Sequence, residues 1–361
     1  MPEFGNFETL TPDVIFSAAE KAFSCRFSGV LMPLPSYINR VYEMESAERE
    51  RYIFKFYRPG RWSRAALLEE HLFTLEAREA EIPVIAPLRQ AGGSTLGTAE
   101  DGTFFAAFPK RWGRGLEPDS GAQVWRRLGS LIARLHTVGA ARAAKHRIAL
   151  DPRGNTLNEV AHLLSCGVAS ERVLPALSSV LRRLLRILSG RFDRSGAIRL
   201  HGDCHKGNIL ERPGEGLMLI DFDDMLTGPP VQDLWLLLPG PAGSCEAELR
   251  ELLAGYESIR GFDRGSLAQI ELLRAMRMIY FLDWCAKQRS DYNFRDRYPE
   301  WGSDAFWRRE IAALEEQYAA IAGLPWRERG KFLLLLTPAC GSCGGFLRRD
   351  PGTFWRSNSS R

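Results

Sequence analysis

The sequence predicts an α+β protein with two lobes: an N-terminal antiparallel sheet with one helix, and a mainly helical C-terminal lobe. Three observations support this prediction. At 361 residues the chain exceeds the usual size of a domain with a single hydrophobic core. Short apolar or aromatic runs separated by polar turns fill residues 29–57. Beyond residue 118, apolar side chains instead recur at three- and four-residue spacing, which is typical of helices packed on a core.

The N-terminal third accounts for the predicted sheet. Five strands are predicted, at 29–32, 41–44, 52–57, 84–88 and 103–108. The first three are separated by short polar turns and form an antiparallel meander. Leucines recur at helical spacing over 68–79, between the third and fourth strands, and Pro83 marks the end of this helix. The sheet therefore carries one helix, inserted after its third strand.

A segment rich in Lys, Arg, Gly and Trp, residues 109–117, follows the sheet and reads as a hinge. After it, apolar residues between 124 and 135 follow a clear helical period. Further helices are predicted at 156–166, 171–189, 246–258, 266–289 and 304–321. One non-helical block, residues 198–228, interrupts them, and it contains the residues with chemistry.

The composition excludes several classes of protein. Hydrophobic residues make up 45% of the chain and charged residues 25%, as in soluble globular proteins rather than disordered or coiled-coil chains. The net charge is +4, from 48 basic and 44 acidic residues. Because the basic residues are scattered, no nucleic acid is expected as a partner. Seven cysteines in so long a chain do not indicate a disulfide framework.

The sequence contains no predicted membrane or export segment. The N-terminus is acidic and lacks the basic and apolar regions of a secretory signal. The longest apolar run, from Leu234, is interrupted by Pro239 and Pro241, well short of the roughly 20 residues that a membrane helix needs. We therefore expect a cytoplasmic protein without a membrane partner.

The non-helical block is suited to phosphoryl transfer. It contains HGDCHKGNIL, residues 201–210, and LIDFDD, residues 219–224. Asn208 follows Asp203 after five positions, and Asp221 emerges from an apolar strand 18 positions after Asp203. One carboxylate can orient an attacking hydroxyl and accept its proton. An amide oxygen and a second carboxylate can hold Mg²⁺ on the β- and γ-phosphates of ATP.

The block has two other interpretations. The polar residues could simply form turns and caps of a loop, but polar groups left unpaired between two buried strands would be costly. Cys204 and His205 suggest zinc, although no second spaced pair completes a tetrahedral site. His201 by itself fits a packed, hydrogen-bonded residue that supports the loop.

Lys55 is the second chemical signal. The chain has only seven lysines, and this one lies between Phe54 and Phe56 in a predicted strand. An ammonium group at such a position is costly unless it meets a negative partner. The alternative is a lysine at the sheet edge whose amine extends to water.

The motifs resemble those of a known family. HGDCHKGN followed by LIDFDD is similar to the catalytic and metal loops of the aminoglycoside phosphotransferase-like and choline-kinase-like kinases, which are relatives of protein kinases. PLPSYINRVYEM, FKFYRPGRW, LLEEHLF, GPPVQDLWLLL and LRAMRMIYFLDW, in that order, extend the resemblance to the stress response kinase A family of bacterial protein Ser/Thr kinases. The resemblance covers about residues 8–338 and implies a protein-kinase-like fold.

The resemblance implies roles for individual residues. It makes Asp203 the catalytic base, Asn208 a magnesium ligand and Asp221 the principal magnesium ligand, in agreement with the interpretation of the block from its residues. It also implies that Lys55 contacts the α- and β-phosphates of ATP and pairs with a helix glutamate. Glu69 and Glu70 are both candidates for that partner.

The turn between the first two strands departs from the kinase pattern. It lacks the glycine-rich G-x-G-x-x-G and reads Pro35-Ser36-Tyr37-Ile38-Asn39-Arg40. Contacts to the phosphates would then come from the Ser36 hydroxyl, nearby amides and Arg40. The family pattern likewise places ATP next to Ser36. An ordinary polar hairpin turn is the other interpretation.

Further acidic residues are assigned supporting roles. The position of Asp233, in GPPVQDLW, is one that holds the catalytic loop by hydrogen bonds in this superfamily, or the residue simply favours a helix N-terminus. Asp223 and Asp224 add negative charge behind Asp221. Cys340 and Cys343 form a single C-x-x-C pair, a weak zinc or redox signal in a tail expected to be disordered.

These observations define the expected organisation and activity. We expect an N-terminal nucleotide-binding lobe at 1–108, a hinge at 109–117, a catalytic lobe at 118–338 and a tail at 339–361. The expected function is an ATP- and Mg²⁺-dependent protein serine/threonine kinase of the stress response, whose substrates include its own hydroxyl groups. A kinase of aminoglycosides, choline or homoserine is the alternative, and a nucleotide-binding scaffold without turnover is the second.

Overall fold

The computed structural model describes residues 4–36, 38–116, 121–240 and 242–324. The Cys340/Cys343 pair lies outside these ranges. The N-terminal lobe consists of α1 (Pro12–Phe23), β1 (Phe27–Leu34), β2 (Arg40–Ser46), β3 (Arg51–Phe56), α2 (Arg64–Glu79), β4 (Gly97–Thr98) and β5 (Phe104–Pro109). Its five strands form one antiparallel sheet in the order β1-β2-β3-β5-β4. The three-strand meander, the helix after it and the strand near 103–108 are therefore confirmed.

Three features of this lobe differ from the sequence prediction, and one of them is strand β4, which was not predicted. The predicted strand at 84–88 is wrong: the segment makes only one parallel bridge, between Val84 and Leu219. Pro83 and Pro87 have no N–H groups for a ladder, and the segment is apolar because several of its side chains are buried. Helix α1 was not predicted. The Thr11 hydroxyl caps it by accepting a hydrogen bond from the Val14 amide.

The C-terminal lobe is mainly helical, as predicted. After the short strand β6 (Arg114–Gly115) it contains α3 (Ala122–Ala140), α4 (Leu157–Ser165), α5 (Leu174–Arg191), β7 (Ile198–Leu200), β8 (Ile209–Arg212), β9 (Gly216–Leu219), β10 (Leu226–Gly228), α6 (Val231–Trp235), α7 (Glu246–Glu257), α8 (Ile270–Lys287), α9 (Tyr292–Arg297) and α10 (Asp304–Gly323). The predicted helix at 266–289 starts at Ile270 because a tighter 3₁₀ turn occupies Arg264–Gln269.

Two small sheets hold the non-helical block, residues 198–228, in place. β7 pairs with β10, and β8 pairs with β9 on one side and β6 on the other. The loop that is predicted to be catalytic joins β7 to β8, and the loop that is predicted to bind metal joins β9 to β10; they are called the catalytic loop and the metal loop below. Apolar residues of α3, α7 and both loops form one buried cluster beneath them, which includes Leu128, Cys204 and Phe222. No helix in the described ranges is long and apolar enough to cross a membrane.

Close helix packing supports this arrangement. Helices α3 and α7 cross at two glycines, Gly129 and Gly255. A Cβ at Gly129 would lie 1.9 Å from the Leu252 carbonyl oxygen, and one at Gly255 would lie 1.9 Å from the Arg126 carbonyl oxygen. A second apolar cluster joins α4, α5, α8 and α10. One face of helix α8 is therefore buried in the core, and its other face contacts the catalytic loop.

Candidate active site

The catalytic loop folds Asn208 back onto Asp203. A short 3₁₀ turn over Lys206–Asn208 reverses the chain. The Asn208 side-chain amide donates to the Asp203 carbonyl oxygen at 2.9 Å and lies 3.4 Å from the Asp203 Oδ2. His205 Nδ1 accepts a hydrogen bond from the Gly207 amide, which leaves the proton on Nε2, 3.4 Å from the same Oδ2. The spacing of five residues thus brings the two predicted site residues together.

A residue from α8 completes the surroundings of Asp203. The Arg277 Nη2 lies 2.6 Å from the Asp203 Oδ1. Burial alone would raise the pKa of Asp203, but the charge of Arg277 and the hydrogen bond from His205 outweigh it and hold that pKa well below its usual range. Arg277 was not predicted as a site residue, because 74 residues of sequence separate it from Asp203.

Lys55 and Asp221 meet across the cleft between the lobes. The Lys55 Nζ lies 2.8 Å from the Asp221 Oδ1 and 3.5 Å from the Asp223 Oδ1. Burial would lower the pKa of Lys55, but the neighbouring carboxylates raise it above its usual value, so the amine stays charged. Because β3 is the middle strand of the sheet, the interpretation of Lys55 as a sheet-edge residue is wrong.

The two candidate glutamates of α2 point in different directions. Glu69 accepts hydrogen bonds from the backbone amides of Lys145 and His146, each at 2.8 Å. Glu70 is 2% exposed and helps to raise the pKa of Lys55. Burial raises the pKa of Glu70 itself to about 7, against the lowering effect of Lys55. Only Glu70 therefore lies on the side of Lys55.

Asp223 and Asp224 are held by protein partners. The Asp223 carboxylate pairs with Arg61 and accepts a hydrogen bond from the Asn39 amide at 3.1 Å. Asp224 lies 2.5 Å from the Arg61 Nη2 and accepts from the Tyr280 hydroxyl at 3.0 Å. Burial would raise the pKa of Asp223, but Arg61 and Lys55 hold it below its usual range. These contacts fix the metal loop against the N-terminal lobe.

The oxygen atoms that remain fit Mg²⁺. The Asp221 side chain is 53% exposed and, within the described ranges, is hydrogen-bonded by Lys55 alone. Asn208 uses its amide nitrogen toward Asp203, which leaves its amide oxygen as an acceptor. Such hard oxygen ligands suit Mg²⁺, which needs few protein ligands because phosphates and water complete its shell. In the described part of the chain no group of three His, Cys, Asp or Glu side chains could hold a metal.

Asp233 holds the catalytic loop, as predicted. Its buried carboxylate accepts hydrogen bonds from the His201 amide at 2.8 Å and the Gly202 amide at 2.9 Å. His136 donates a third from Nε2 at 3.0 Å and accepts at Nδ1 from the Tyr256 hydroxyl. The His201 ring is buried and bonds to the Ile220 carbonyl oxygen at 2.9 Å. The prediction that His201 is a packed supporting residue is confirmed.

The turn between β1 and β2, which contains Ser36, contacts the C-terminal lobe. Ser36 is half-buried, and Ile38 packs in an apolar cluster with Trp284 and Phe294. Arg40, which is expected to contact the phosphates, also pairs with Asp291, whose carboxylate lies 3.3 Å from its guanidinium. This ion pair ties the turn to the C-terminal lobe.

A choline-type ammonium would require an aromatic cage, and the aromatic residues Tyr280, Trp284 and Trp301, which are the candidates for one, serve other contacts. The Tyr280 hydroxyl bonds to Asp224, and the Trp284 ring stacks on Phe281 with a centroid distance of 5.9 Å. Trp301 packs against the aromatic rings of Phe306 and Trp307. The cage interpretation therefore has no support in the structure.

The sequence matches a known family and several kinases of the stress response. Residues 30–270 match the phosphotransferase enzyme family (APH). Stress response kinase A of Shigella flexneri is 36% identical over 324 residues, which are 86% of this chain and 93% of that relative. The serine/threonine protein kinase RdoA of Salmonella typhimurium is 36% identical over 318 residues, again 86% of this chain and 93% of that relative.

Solved structures show the same fold at lower identity. An amicoumacin kinase in complex with AMP-PNP and Ca²⁺ has a TM-score of 0.67 at 19% identity, covering 84% of this chain and 93% of that one. A microcompartment-associated aminopropanol kinase has a TM-score of 0.62 at 18% identity, covering 86% and 97%. A spectinomycin phosphotransferase in complex with ADP and spectinomycin has a TM-score of 0.61 at 14% identity, covering 86% and 98%.

Proposed function

The chain belongs to the phosphotransferase enzyme (APH) family and, within it, to the stress response kinase A relatives, and on this premise we propose that it is an ATP- and Mg²⁺-dependent protein serine/threonine kinase. The nucleotide would lie between a lobe of residues 1–108 and a lobe of residues 118–338, at the hinge 109–117. The stress response is the process in which it acts, as the names of its relatives suggest.

The convergence of four side chains from distant segments carries the proposal. Lys55 from β3 meets Asp221 from the metal loop at 2.8 Å. The Asn208 side-chain amide lies 3.4 Å from the Asp203 carboxylate within the catalytic loop. The His201 ring bonds to the Ile220 carbonyl oxygen and so joins the two loops. A cation, two acidic residues and an amide oxygen are the groups that phosphoryl transfer needs in one cleft.

The roles follow from the surroundings of each group. Asp203, buried and ionised, orients the acceptor hydroxyl and takes up its proton as the new O–P bond forms and ADP leaves. Lys55 supplies a fixed positive charge for the α- and β-phosphates, and Glu70 balances that charge from behind. Ser36 contacts the nucleotide from the β1–β2 turn. Asn208 and Asp221 would hold Mg²⁺, which when bound neutralises charge on the β- and γ-phosphates.

The same residues could serve a small-molecule kinase, which is the second candidate function. The observation that favours it is the fold: the similar solved structures include an aminopropanol kinase and a spectinomycin phosphotransferase. The sequence favours a protein substrate, because the relatives at 36% identity include a protein named as a serine/threonine protein kinase. A scaffold without turnover has less support, since Lys55, Asp203, Asn208 and Asp221 are all present.

A phosphotransfer assay tests the proposal. The purified full chain would be incubated with labelled ATP and Mg²⁺, alone, with a generic protein substrate, and with a panel of amino alcohols and aminoglycosides. We expect label in phosphoserine or phosphothreonine, on the protein substrate or on the enzyme itself. Rapid ATP consumption with a small molecule and no labelled phosphoamino acid would assign the chain to the small-molecule kinases.

A further inference from the structure

Arg277 lies at the point where the acceptor of the phosphoryl group must enter. Its Nη2 is 2.6 Å from the Asp203 Oδ1. In the proposed function, the Asp203 carboxylate orients the acceptor hydroxyl and accepts its proton. Helix α8 holds it rigidly, because Ala275, Met276 and Ile279 on the opposite face are buried in the core. Any group that brings a hydroxyl to Asp203 therefore comes within reach of this guanidinium.

Most of the hydrogen-bonding capacity of Arg277 is unused by the residues that the structure describes. A guanidinium has five N–H donors. Among the described residues, Arg277 donates a hydrogen bond to Asp203 alone. Its side chain is 18% exposed, so these donors are partly withdrawn from water while part of the side chain stays accessible. A planar group of this kind binds a carboxylate through two parallel hydrogen bonds.

The charges around Arg277 favour a negative ligand over a positive one. Each of the other acidic residues of the metal loop already contacts a cation: Asp221 contacts Lys55, and Asp223 and Asp224 share Arg61. An ammonium group on the acceptor would thus find its carboxylates engaged and a guanidinium beside the base. Like charges brought together in this way disfavour binding, whereas a carboxylate would gain charge-assisted hydrogen bonds.

We infer that Arg277 is a specificity-determining residue that binds a carboxylate next to the acceptor hydroxyl, so that the preferred substrate is a serine or threonine flanked by an acidic residue. The inference rests on the proposed function and narrows it to a substrate class. It assigns to Arg277 two simultaneous contacts, one with the Asp203 Oδ1 and one with the carboxylate of the acceptor.

Three serine peptides that differ only beside the serine test the inference. The flanking positions carry Glu, Gln or Lys, and phosphorylation of each is measured as kcat/KM with the wild-type full chain, Arg277→Gln and Arg277→Lys. Arg274→Gln is the matched control: it lies one turn away on the same helix and pairs with Glu271 rather than Asp203. KM for ATP is measured for every variant, to separate acceptor effects from nucleotide effects.

We expect the wild-type enzyme to prefer the Glu peptide over the Gln peptide by about 10- to 100-fold, as for a charge-assisted hydrogen bond. Arg277→Gln should abolish that preference, Arg277→Lys should keep part of it, and Arg274→Gln should keep all of it. KM for ATP should not change.

Two results would overturn the inference while leaving the proposed function intact. One is equal use of the three peptides by the wild-type enzyme. The other is a loss in Arg277→Gln that is the same for all three peptides, which would mean that Arg277 only positions Asp203. If no peptide is phosphorylated while an amino alcohol is, the protein-kinase proposal itself fails, and the inference fails with it.

Discussion

The carboxylates of the cleft have different surroundings, and their removal should therefore have different effects. Asp203 is buried against Arg277, and Asp223 is buried against Arg61. Asp221 is the most exposed of them, with 53% of its side chain accessible. A buried ion pair that loses one partner destabilises the fold, whereas an exposed carboxylate can be removed at little cost in stability. Substitutions of different carboxylates can therefore separate effects on catalysis from effects on stability.

We predict that Asp203→Asn lowers turnover by about 10²- to 10⁴-fold, the usual effect of removing a general base. ATP affinity should stay close to wild type, because Asp203 contacts the acceptor rather than the nucleotide. Steady-state kinetics and calorimetric titration with ATP measure the two quantities. Asp263→Asn, the same change at a remote turn where the carboxylate accepts from the Gly265 amide, is the control. Wild-type turnover in Asp203→Asn would exclude Asp203 as the base.

Asp221→Asn should weaken magnesium-dependent ATP binding without loss of stability. Lys55 keeps Asp223 and Glu70 as negative neighbours, so its charge remains balanced. Asp223→Asn is the contrasting variant, because it leaves the buried Arg61 with one carboxylate fewer and should cost about 3–5 kcal/mol in the free energy of unfolding. Calorimetry at several Mg²⁺ concentrations and urea denaturation distinguish them. An unchanged magnesium dependence in Asp221→Asn would remove this residue from the metal site.

The sequence could predict the residues that carry chemistry but not the cations that hold them. Asp203, Asn208 and Asp221 are recognisable because their spacing is local and their order matches a known pattern. Arg277 and Arg61 lie 74 and 162 residues from the carboxylates they contact. Both arginines lie in segments that resemble the family, FKFYRPGRW and LRAMRMIYFLDW, but nothing in those segments connects them to these carboxylates. Contacts over such separations are set by the packing of whole elements, which one sequence does not reveal.

At the scale of elements, the helices with a strong apolar periodicity were predicted close to where they lie. The prediction failed where a buried loop segment is as apolar as a strand. Helices α2, α3, α5 and α8 have long apolar stripes, and each was predicted close to its observed position. The segment at 84–88 is apolar because it is covered by neighbouring residues, and Pro87 within it and Pro83 before it restrict ladder formation. Helix α1 has a cap and a proline at its first position, signals that would have identified it.

Gly202 shows how closely two elements of the site approach each other. Its backbone has a φ of 84°, and an added Cβ would lie 2.0 Å from the Asp224 carbonyl oxygen. The catalytic and metal loops could not remain in contact with a larger residue at this position. The glycine of the His-Gly-Asp sequence is therefore required by the distance between the loops as well as by the backbone conformation.

We predict that Gly202→Ala separates the two loops and abolishes activity. Gly214→Ala is the matched control, because Gly214 also has a positive φ, of 79°, but no atom within 4 Å of an added Cβ. The control should lose only about 1–2 kcal/mol of stability from backbone strain and keep its activity. Gly202→Ala should lose more in urea denaturation and show no phosphotransfer. Equal stability and activity in the two variants would mean that the close approach is not needed.

At the scale of the whole molecule, the lobes are joined by an interlobe clasp, which we define as Arg40 and Arg58 of the N-terminal lobe with Asp291 of the C-terminal lobe. The Arg58 Nη2 lies 2.7 Å from the Asp291 Oδ2, and the Arg58 side chain is 1% exposed. Arg58 also donates to the carbonyl oxygens of Ile38 and Gly5. The clasp therefore fixes the β1–β2 turn, which carries Ser36, relative to the catalytic loop.

We predict that Arg58→Met both destabilises the protein and raises KM for ATP. The substitution removes one partner of a buried ion pair, which typically costs about 3–5 kcal/mol, and frees the turn that bears Ser36. Arg49→Met is the matched control, since the Arg49 side chain is 85% exposed in its pair with Glu45 and should cost less than about 1 kcal/mol. Urea denaturation gives the two stabilities, and steady-state kinetics gives the two KM values.

A double-mutant cycle with Asp291→Asn then isolates the clasp from other effects of the single changes. If the ion pair holds the lobes together, the losses of stability and of ATP affinity in the double variant should be clearly smaller than the sum of the two single losses. Hydrogen exchange should increase in β1 and β2 in all three variants, because the turn between these strands loses its anchor. Additive losses, with unchanged exchange in these strands, would show that Arg58 stabilises only its own lobe and that lobe closure is determined elsewhere.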